Sequence, residues 1–306
     1  MGRFRIIKDS TNAAFFTNRA LVRLRMDMYD QVIDDCLKAI DLVPSSCMTT
    51  LEWTPCVETS HLTNKDNIVK AYSYLGQAQL KLGYPNEALS STLRAYELAI
   101  AQRSPSVGTI ATTCLEVKKK RWELSEERRR TRECNLLKQM TQIIERDAER
   151  EVDLILRSPT WDPVASGRDY SGSQVQDKVD DVRSTAREKI QTLEDVFGKA
   201  EAERCGKREV PDYLIDNITF SVMLDPVIVR PEFPSPQTFF ELKILTRMQT
   251  KHGHSYDRVT LLDHLKRSPT DPLTREPLTE KDLRPNLALK AACETFLKEN
   301  GWAVDW

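Results

Sequence analysis

Ile218-Thr219-Phe220-Ser221-Val222-Met223-Leu224-Asp225-Pro226-Val227, resumed at Gly253-His254-Ser255-Tyr256-Asp257-Arg258 and closed by Asp271-Pro272-Leu273-Thr274-Arg275-Glu276-Pro277-Leu278, is the stretch on which the fold turns. Ile218, Phe220 and Val222 alternate with polar residues, which predicts a half-buried strand. Asp225-Pro226 is expected to break that strand, and Tyr256 follows a Gly-His-Ser turn. Asp257 stands where a short helix carrying Val259, Leu262 and Leu265 needs its N-cap. Two proline-containing loops follow, then a helix with Leu287, Leu289, Ala292, Phe296 and Leu297. So small an α/β module needs a staple or unusually good packing. No cysteine stands between Gly206 and Ala292, and Cys-x-x-Cys spacing occurs nowhere, so the staple is not a metal.

The chain has 306 residues, enough for two or three modules. Its net charge of −1 favours neither nucleic acid nor a membrane surface. With 30% of residues charged, long solvated helices are expected rather than one large core. Seven scattered cysteines fit a reducing compartment better than a disulfide framework. No apolar run reaches membrane-spanning length, and the N-terminus is basic and mixed rather than a signal peptide. The expected location is the cytosol, with the nucleus as a second.

From the N-terminus, Phe15-Phe16-Thr17-Asn18-Arg19-Ala20-Leu21 opens a helical pattern that Tyr29, Val32, Cys36, Ala39 and Ile40 continue on a second helix. Tyr72, Leu75, Gly76, Leu80 and Leu82, then Ala88, Leu93 and Ala95, repeat it. These units resemble tetratricopeptide (TPR) repeats, in which small residues such as Ala20, Gly76 and Ala88 let paired helices approach. Phe16 to Tyr72, Val32 to Ala88 and Ala39 to Ala95 are each 56 positions apart, about 22 more than the roughly 34-residue period of such repeats. The excess lies near 43–65, which has no helical period. The chain reads as starting inside its first repeat, with 1–8 replacing that repeat's body.

A long helix begins near Thr109, headed by Lys118-Lys119-Lys120-Arg121-Trp122. Leu137, Met140, Ile144, Ala148, Val152 and Ile155 form a stripe along it at steps of three and four. After a Pro/Gly/Ser loop at 158–173, a return helix carries Val175, Val179, Val182, Ala186, Ile190, Leu193 and Phe197 on one face. Two such helices predict a hairpin whose arms cover each other or pair with a second chain. Lys118-Lys119-Lys120-Arg121 reads as a solvated basic run. Trp122, His264 and Cys293 read as packing residues, the last two rather than as a base and a thioester-forming nucleophile.

The C-terminal stretch resembles a U-box, the zinc-free relative of the RING domain. TPR repeats (1–103), a helical hairpin (109–205) and a U-box (210–306), in that order, resemble the CHIP-like chaperone-associated ubiquitin ligases. The fold class implied is mainly α, with TPR helical repeats, a long helical hairpin and a small α/β U-box. The function implied is recruitment of a ubiquitin-conjugating enzyme and ubiquitylation of misfolded clients held by heat-shock chaperones, with no cofactor, no metal and no covalent intermediate on this chain. Ile218 and Phe220 match the first loop of the conjugating-enzyme groove, Pro272 and Arg275 the second, and Asn286 the residue that braces the loops. Without that resemblance, Ile218 and Phe220 read more readily as core residues of a strand. Asn18 and Lys70 match two members of the clamp that grips the acidic C-terminal tail of a chaperone; the clamp's first-repeat Lys and Asn have no counterpart in this sequence, so the resemblance implies a weakened grip on that tail. The two long one-faced helices and the resemblance together imply a homodimer through the 118–200 hairpin and the U-box flank. A rival reading is a non-catalytic TPR co-chaperone with an impaired U-box.

The U-box is interrupted at about 229–249, as the repeats are at 43–65. Val229-Arg230 can be encoded as a splice donor, Leu245-Thr246 as a branch point and Gln249 as an acceptor, and Leu62-Thr63-Asn64 can encode a second branch point. Both inserts are therefore expected to be translated introns, irregular in structure.

Overall fold

The computed structural model describes residues 12–42, 59–157, 172–206, 208–229 and 254–306. The 229–249 insert, beyond Val229 itself, lies outside them, as do 1–8 and most of 43–65. The chain divides into two compact units, one built from residues 1–123 and 210–306, the other from 124–209.

In the first unit, α1 (Ala13–Arg25) and α2 (Tyr29–Asp41) make one helix–turn–helix, α3 (Thr59–Lys81) and α4 (Pro85–Ala101) the next. Asn12 starts α1 by accepting from the Ala14 amide at 3.0 Å. Both turns end the preceding helix in the same way. Asp27 (φ 57°) and Gly83 (φ 84°) adopt the left-handed conformation. The residue after each donates back five positions, Met28 N–H to Arg23 O at 3.0 Å and Tyr84 N–H to Gln79 O at 2.9 Å. Asp27 and Gly83 are themselves 56 positions apart, so the repeat is conserved down to its stop signal. The expectation of an irregular run to residue 65 is corrected at its end, because helix α3 already begins at Thr59. Extending a packed helix backward adds one hydrogen bond per residue without a new nucleus, and neither proline nor glycine stands between 57 and 75 to stop it.

The apolar positions read from the repeat meet in two clusters. Ala13, Phe16, Ala39, Ile68 and Ala71 form one; Ala20, Val32, Cys36, Leu75 and Ala78 form the other. The same helices also bury a charge. The fully buried carboxylate of Asp35 accepts from Arg19 Nε at 2.8 Å and from Arg23, and the Arg19 guanidinium also lies 5.5 Å over the Phe16 ring.

The C-terminal module of this unit is a three-stranded antiparallel sheet with two helices. Strands β1 (Pro226–Val229), β2 (Ser255–Asp257) and β3 (Leu283–Pro285) lie in the order β2-β1-β3, with Val227 opposite both Tyr256 and Pro285. Helix α7 (Arg258–Arg267) follows β2, and α8 (Leu287–Glu299) follows β3. Two expectations are corrected. Residues 218–222 are not a strand but a turn, for reasons given below. Asp225-Pro226 does not end a strand; Pro226 starts one, at the position where a missing N–H costs least. Val227, Tyr256, Leu261 and Leu278 form the module's own core.

The module is welded to the repeats through the first part of helix α5 (Val107–Arg157). Leu224 joins Tyr96, Ala99, Ile110, Ala111 and Cys114 in one cluster, and Leu115 packs against a second made by Val210, Leu214, Met223, Cys293 and Leu297. Trp122 Nε1 donates to Glu299 O at 2.8 Å. A Cβ on Gly301 would lie 2.4 Å from Trp122 Cβ, so only glycine fits there. The basic run is not uniformly solvated. Lys119 pairs with Asp305 and Lys120 with Glu123, while Lys118 is half-buried and burial pulls its ammonium below the usual lysine range.

In the second unit, the rest of α5 and helix α6 (Gly172–Arg204) carry the hairpin stripe. Val152 and Val179 are buried, and Leu137, Ile144, Ala148, Ile155, Val175, Val182, Ala186, Ile190, Leu193 and Phe197 are half-buried. Met140, expected on that stripe, faces outward with Leu136, Ile143 and Val196; seen along the axis, it falls beyond the edge of the covered face. Arg129 bonds Glu126, Glu133 and Glu201 at the base of the hairpin.

Candidate functional site: two aspartate-framed loops

Residues 216–221 and 271–276 fold into the same turn. In the first, Asp216 N–H donates to Ser221 O at 2.8 Å, Phe220 N–H to Asp216 O at 2.8 Å, and Met223 N–H to Leu214 O at 3.0 Å. In the second, at the same spacings, Asp271 N–H donates to Glu276 O at 2.8 Å, Arg275 N–H to Asp271 O at 2.9 Å, and Leu278 N–H to Pro269 O at 3.0 Å. An antiparallel bridge closes each, Ile215 with Val222 and Thr270 with Pro277. The fifth residue of each turn is left-handed, Phe220 at φ 56° and Arg275 at φ 61°. That conformation costs an ordinary side chain about 1–2 kcal/mol, and the flanking bonds hold it.

The first aspartate fills each turn from inside. Asp216 Oδ2 accepts from Thr219 N–H at 3.2 Å and from Thr219 Oγ1 at 2.8 Å. Asp271 Oδ1 accepts from the Leu273 and Thr274 amides at 2.8 and 3.3 Å. Both loops then hang from successive residues of β2: Asp257 N–H donates to Asp216 Oδ1 at 3.1 Å, and the buried Tyr256 hydroxyl donates to Asp271 Oδ1 at 2.8 Å. Hydrogen bonds to side-chain carboxylates thus close the two loops. These bonds explain the missing strand at 218–222. A six-residue turn filled by its own aspartate satisfies the backbone groups that a ladder would otherwise need.

Asp257 occupies the N-cap position of α7 without capping it. Its Oδ1 instead accepts from the Leu224 and Asp225 amides at 2.9 and 2.8 Å. Burial pushes this carboxyl above the usual range, against the pull of those two amides and with the push of nearby Asp216 and Asp225. Asp225 pairs with Arg258 at 2.7 Å and Lys290 at 3.3 Å. For Asp271, burial works upward too, but the Leu273 amide, the Tyr256 hydroxyl and the Thr274 amide outweigh it and hold the carboxyl below the usual range.

Ile218 is half-buried and packs against the Val227, Tyr256, Leu261 and Leu278 core. Phe220 projects from the same turn with 72% of its surface exposed. Pro272 is half-buried and Arg275 exposed, with no ion pair at Arg275 among the described residues. Asn286 caps α8 by accepting from the Leu289 amide at 3.1 Å, while its Nδ2 donates to Ser255 Oγ at 3.2 Å and its own amide donates to Pro226 O at 2.9 Å. It therefore ties β1, β2 and α8 together. His264 Nε2 donates to Thr270 O at 3.0 Å, behind the second loop. Asn18 and Lys70 are both exposed, on the neighbouring helices α1 and α3.

Sequence reasoning missed the frame, Asp216, Asp271 and Tyr256, and the exposed Leu273. The signal was present as an internal repeat, Asp216-x-Ile218-Thr219 against Asp271-x-Leu273-Thr274. Asp271→Ala is expected to strand the Tyr256 hydroxyl and two amides and to cost about 1–3 kcal/mol. The sign with pH follows from the depressed carboxyl: its contribution is present above the ordinary aspartate range, about pH 4, and is lost as pH falls through its lower folded value. Urea unfolding at pH 7 and pH 3 should therefore show a smaller difference between the variant and the parent at the acid end.

Two family models match. The U-box domain matches residues 240–302. The CHIP N-terminal tetratricopeptide repeat domain matches residues 117–208, which falls on α5 and α6 rather than on the repeats before them. The chain is 29% identical over 293 residues to "E3 ubiquitin-protein ligase CHIP" of Arabidopsis thaliana, covering 95% of this chain and 82% of that protein. Over 90 residues it is 34% identical to "Ubiquitin conjugation factor E4" of Schizosaccharomyces pombe (strain 972 / ATCC 24843), 29% of this chain but 7% of that one. A U-box alone is shared with proteins of quite different build. The alignment that runs through repeats, long helices and U-box together, with the two family models, supports a U-box ubiquitin ligase similar in build to the CHIP-like ligases.

Proposed function

We propose that this ubiquitin ligase docks a charged conjugating enzyme on the 216–221 and 271–276 loops and holds it beside a client carried by a chaperone on its TPR repeats. The reading rests on one observation: two hydrogen-bonded turns of the same design present Phe220, Leu273 and Arg275 to solvent from a shared rigid base. Ile218, Phe220, Pro272 and Leu273 supply the apolar contact. Arg275, left-handed and with five N–H donors, is placed to hold ubiquitin against the conjugating enzyme. No nucleophile of this chain is needed. The thioester is the conjugating enzyme's, and the gain comes from proximity and orientation. Autoubiquitylation with a panel of conjugating enzymes tests this; no activity with any of them would refute it.

The repeats are assigned to the acidic tail of a heat-shock chaperone, with Asn18 and Lys70 as donors to its carboxylates. Lys70→Ala is expected to lose about 1.5–3 kcal/mol of tail-peptide binding, roughly 10- to 150-fold, by fluorescence polarisation. An unchanged affinity removes the clamp from the assignment. Such chaperones and the unpaired cysteines of the described residues favour the cytosol, with the nucleus second.

The hairpin is assigned to a homodimer. Its outward Leu136, Met140, Ile143, Leu154 and Val196 are a second apolar row that the arms leave uncovered. Light scattering at micromolar concentration should give twice the chain mass, and a monomer there counts against it.

A further inference from the structure

Arg-Ser-Pro occurs three times, at 103–105, 157–159 and 267–269. Ser158 lies outside the described residues, and the fold treats the other two differently. Ser104 is wound into a turn: its N–H donates to Ala99 O, its carbonyl accepts from Val107, its hydroxyl accepts from the Ser106 amide, and Arg103 before it is left-handed. Ser268 is extended (φ −141°, ψ 117°) and half-exposed. It follows the exposed side chains of Lys266 and Arg267, 69% and 79% accessible. A kinase must place a substrate hydroxyl in line with the γ-phosphate, which an extended segment allows and a wound turn does not.

We propose that Ser268 is a phosphorylation site for a proline-directed protein kinase, and that its phosphate weakens conjugating-enzyme docking. The step is phosphoryl transfer from ATP. The bond from Ser268 Oγ to the γ-phosphorus forms, the bond from that phosphorus to the bridging oxygen breaks, ADP leaves with the electron pair, and the hydroxyl proton passes to the kinase's base. The site sits at the seam of the second loop. Ser268 caps the C-terminus of α7, where the helix dipole is negative and an added dianion is unfavourable. Its hydroxyl lies 2.8 Å from Thr270 Oγ1. Thr270 accepts from His264 and makes the bridge to Pro277 that closes the loop carrying Pro272, Leu273 and Arg275. Phosphorylation there loosens the frame without touching the docking residues.

The docking half rests on the function proposed above, so the test reads two quantities. The full chain is incubated with ATP, magnesium and a cyclin-dependent or mitogen-activated kinase, and phosphate is located by fragmentation of the 268–275 tryptic peptide. Conjugating-enzyme affinity is then measured for treated parent and treated Ser268→Ala. We expect phosphate on Ser268, docking weakened about tenfold, within the usual range of coupling between sites, and no loss in treated Ser268→Ala. Phosphate absent from Ser268 in the folded chain, though added to the denatured one, overturns the site. Phosphate present with docking unchanged overturns the switch. If Phe220→Ala leaves docking intact while Ser268 is phosphorylated, the docking surface is what has failed.

Discussion

Phe220→Ala is expected to leave the melting temperature of the protein unchanged and to lower ubiquitin transfer by about 30-fold. Anchors in a small interface cost about 2 kcal/mol or more when truncated, and 1.4 kcal/mol is a factor of ten. Phe220 is the informative variant because its ring is 72% exposed and contributes little to the core. Alanine at φ 56° carries much the same backbone strain as phenylalanine, so stability and docking separate. They do not separate at Ile218, which the resemblance matched to the docking groove. Its side chain packs on Val227, Tyr256, Leu261 and Leu278, so Ile218→Ala should lose transfer and also about 2 kcal/mol of stability. Pro272→Ala should lose transfer with a smaller stability cost. Arg275→Ala should reduce discharge of the ubiquitin-loaded enzyme more than it reduces binding, since its role lies in the transfer geometry. Discharge assays beside calorimetric binding distinguish these, and full transfer activity in Phe220→Ala removes the first loop from the site.

The second large effect lies far from that surface. Asp35→Ala is expected to destabilise the repeats by about 3 kcal/mol, because removing one partner of a buried ion pair leaves the other uncompensated. Here two guanidiniums, of Arg19 and Arg23, lose their shared acceptor at once. Both arginine side chains are partly exposed and can re-solvate, which places the cost near the lower end of the range for buried pairs. For a unit of this size, it corresponds to roughly 6–12 °C in Tm. Asp35→Asn keeps the shape and one acceptor and should fall between the two. Tail binding should weaken with the fold rather than independently of it, since Asn18 stands next to Arg19 on α1. A Tm shift below about 2 °C would mean the two arginines find other partners.

Much of the architecture was legible because it is written in local periodicity. The 56-residue offset from Phe16 to Tyr72 located matching helices and, unasked, the matching stops at Asp27 and Gly83. The three-and-four spacing of Leu137, Ile144, Ala148, Val152 and Ile155 marked the inward face of α5. An α-helix repeats every 3.6 residues whatever surrounds it, so one window of sequence is enough. Met140 was misplaced because spacing defines a face only to within its edge, and where cover ends depends on the other arm.

The loops were legible only as a resemblance. Read by alternation alone, Ile218, Phe220 and Val222 make a strand, and their residue types agree. What decides against it is the Asp216 carboxylate, which takes Thr219 from within the turn and the Asp257 amide from a strand 41 residues further along. The same holds for Asp257, which reads as a helix cap and is drawn instead to the amides of Leu224 and Asp225. Apolar burial follows a period that sequence displays. A buried acceptor goes to whichever unsatisfied donor the folded chain brings within 3 Å or so, and that neighbour is known only when distant segments have met.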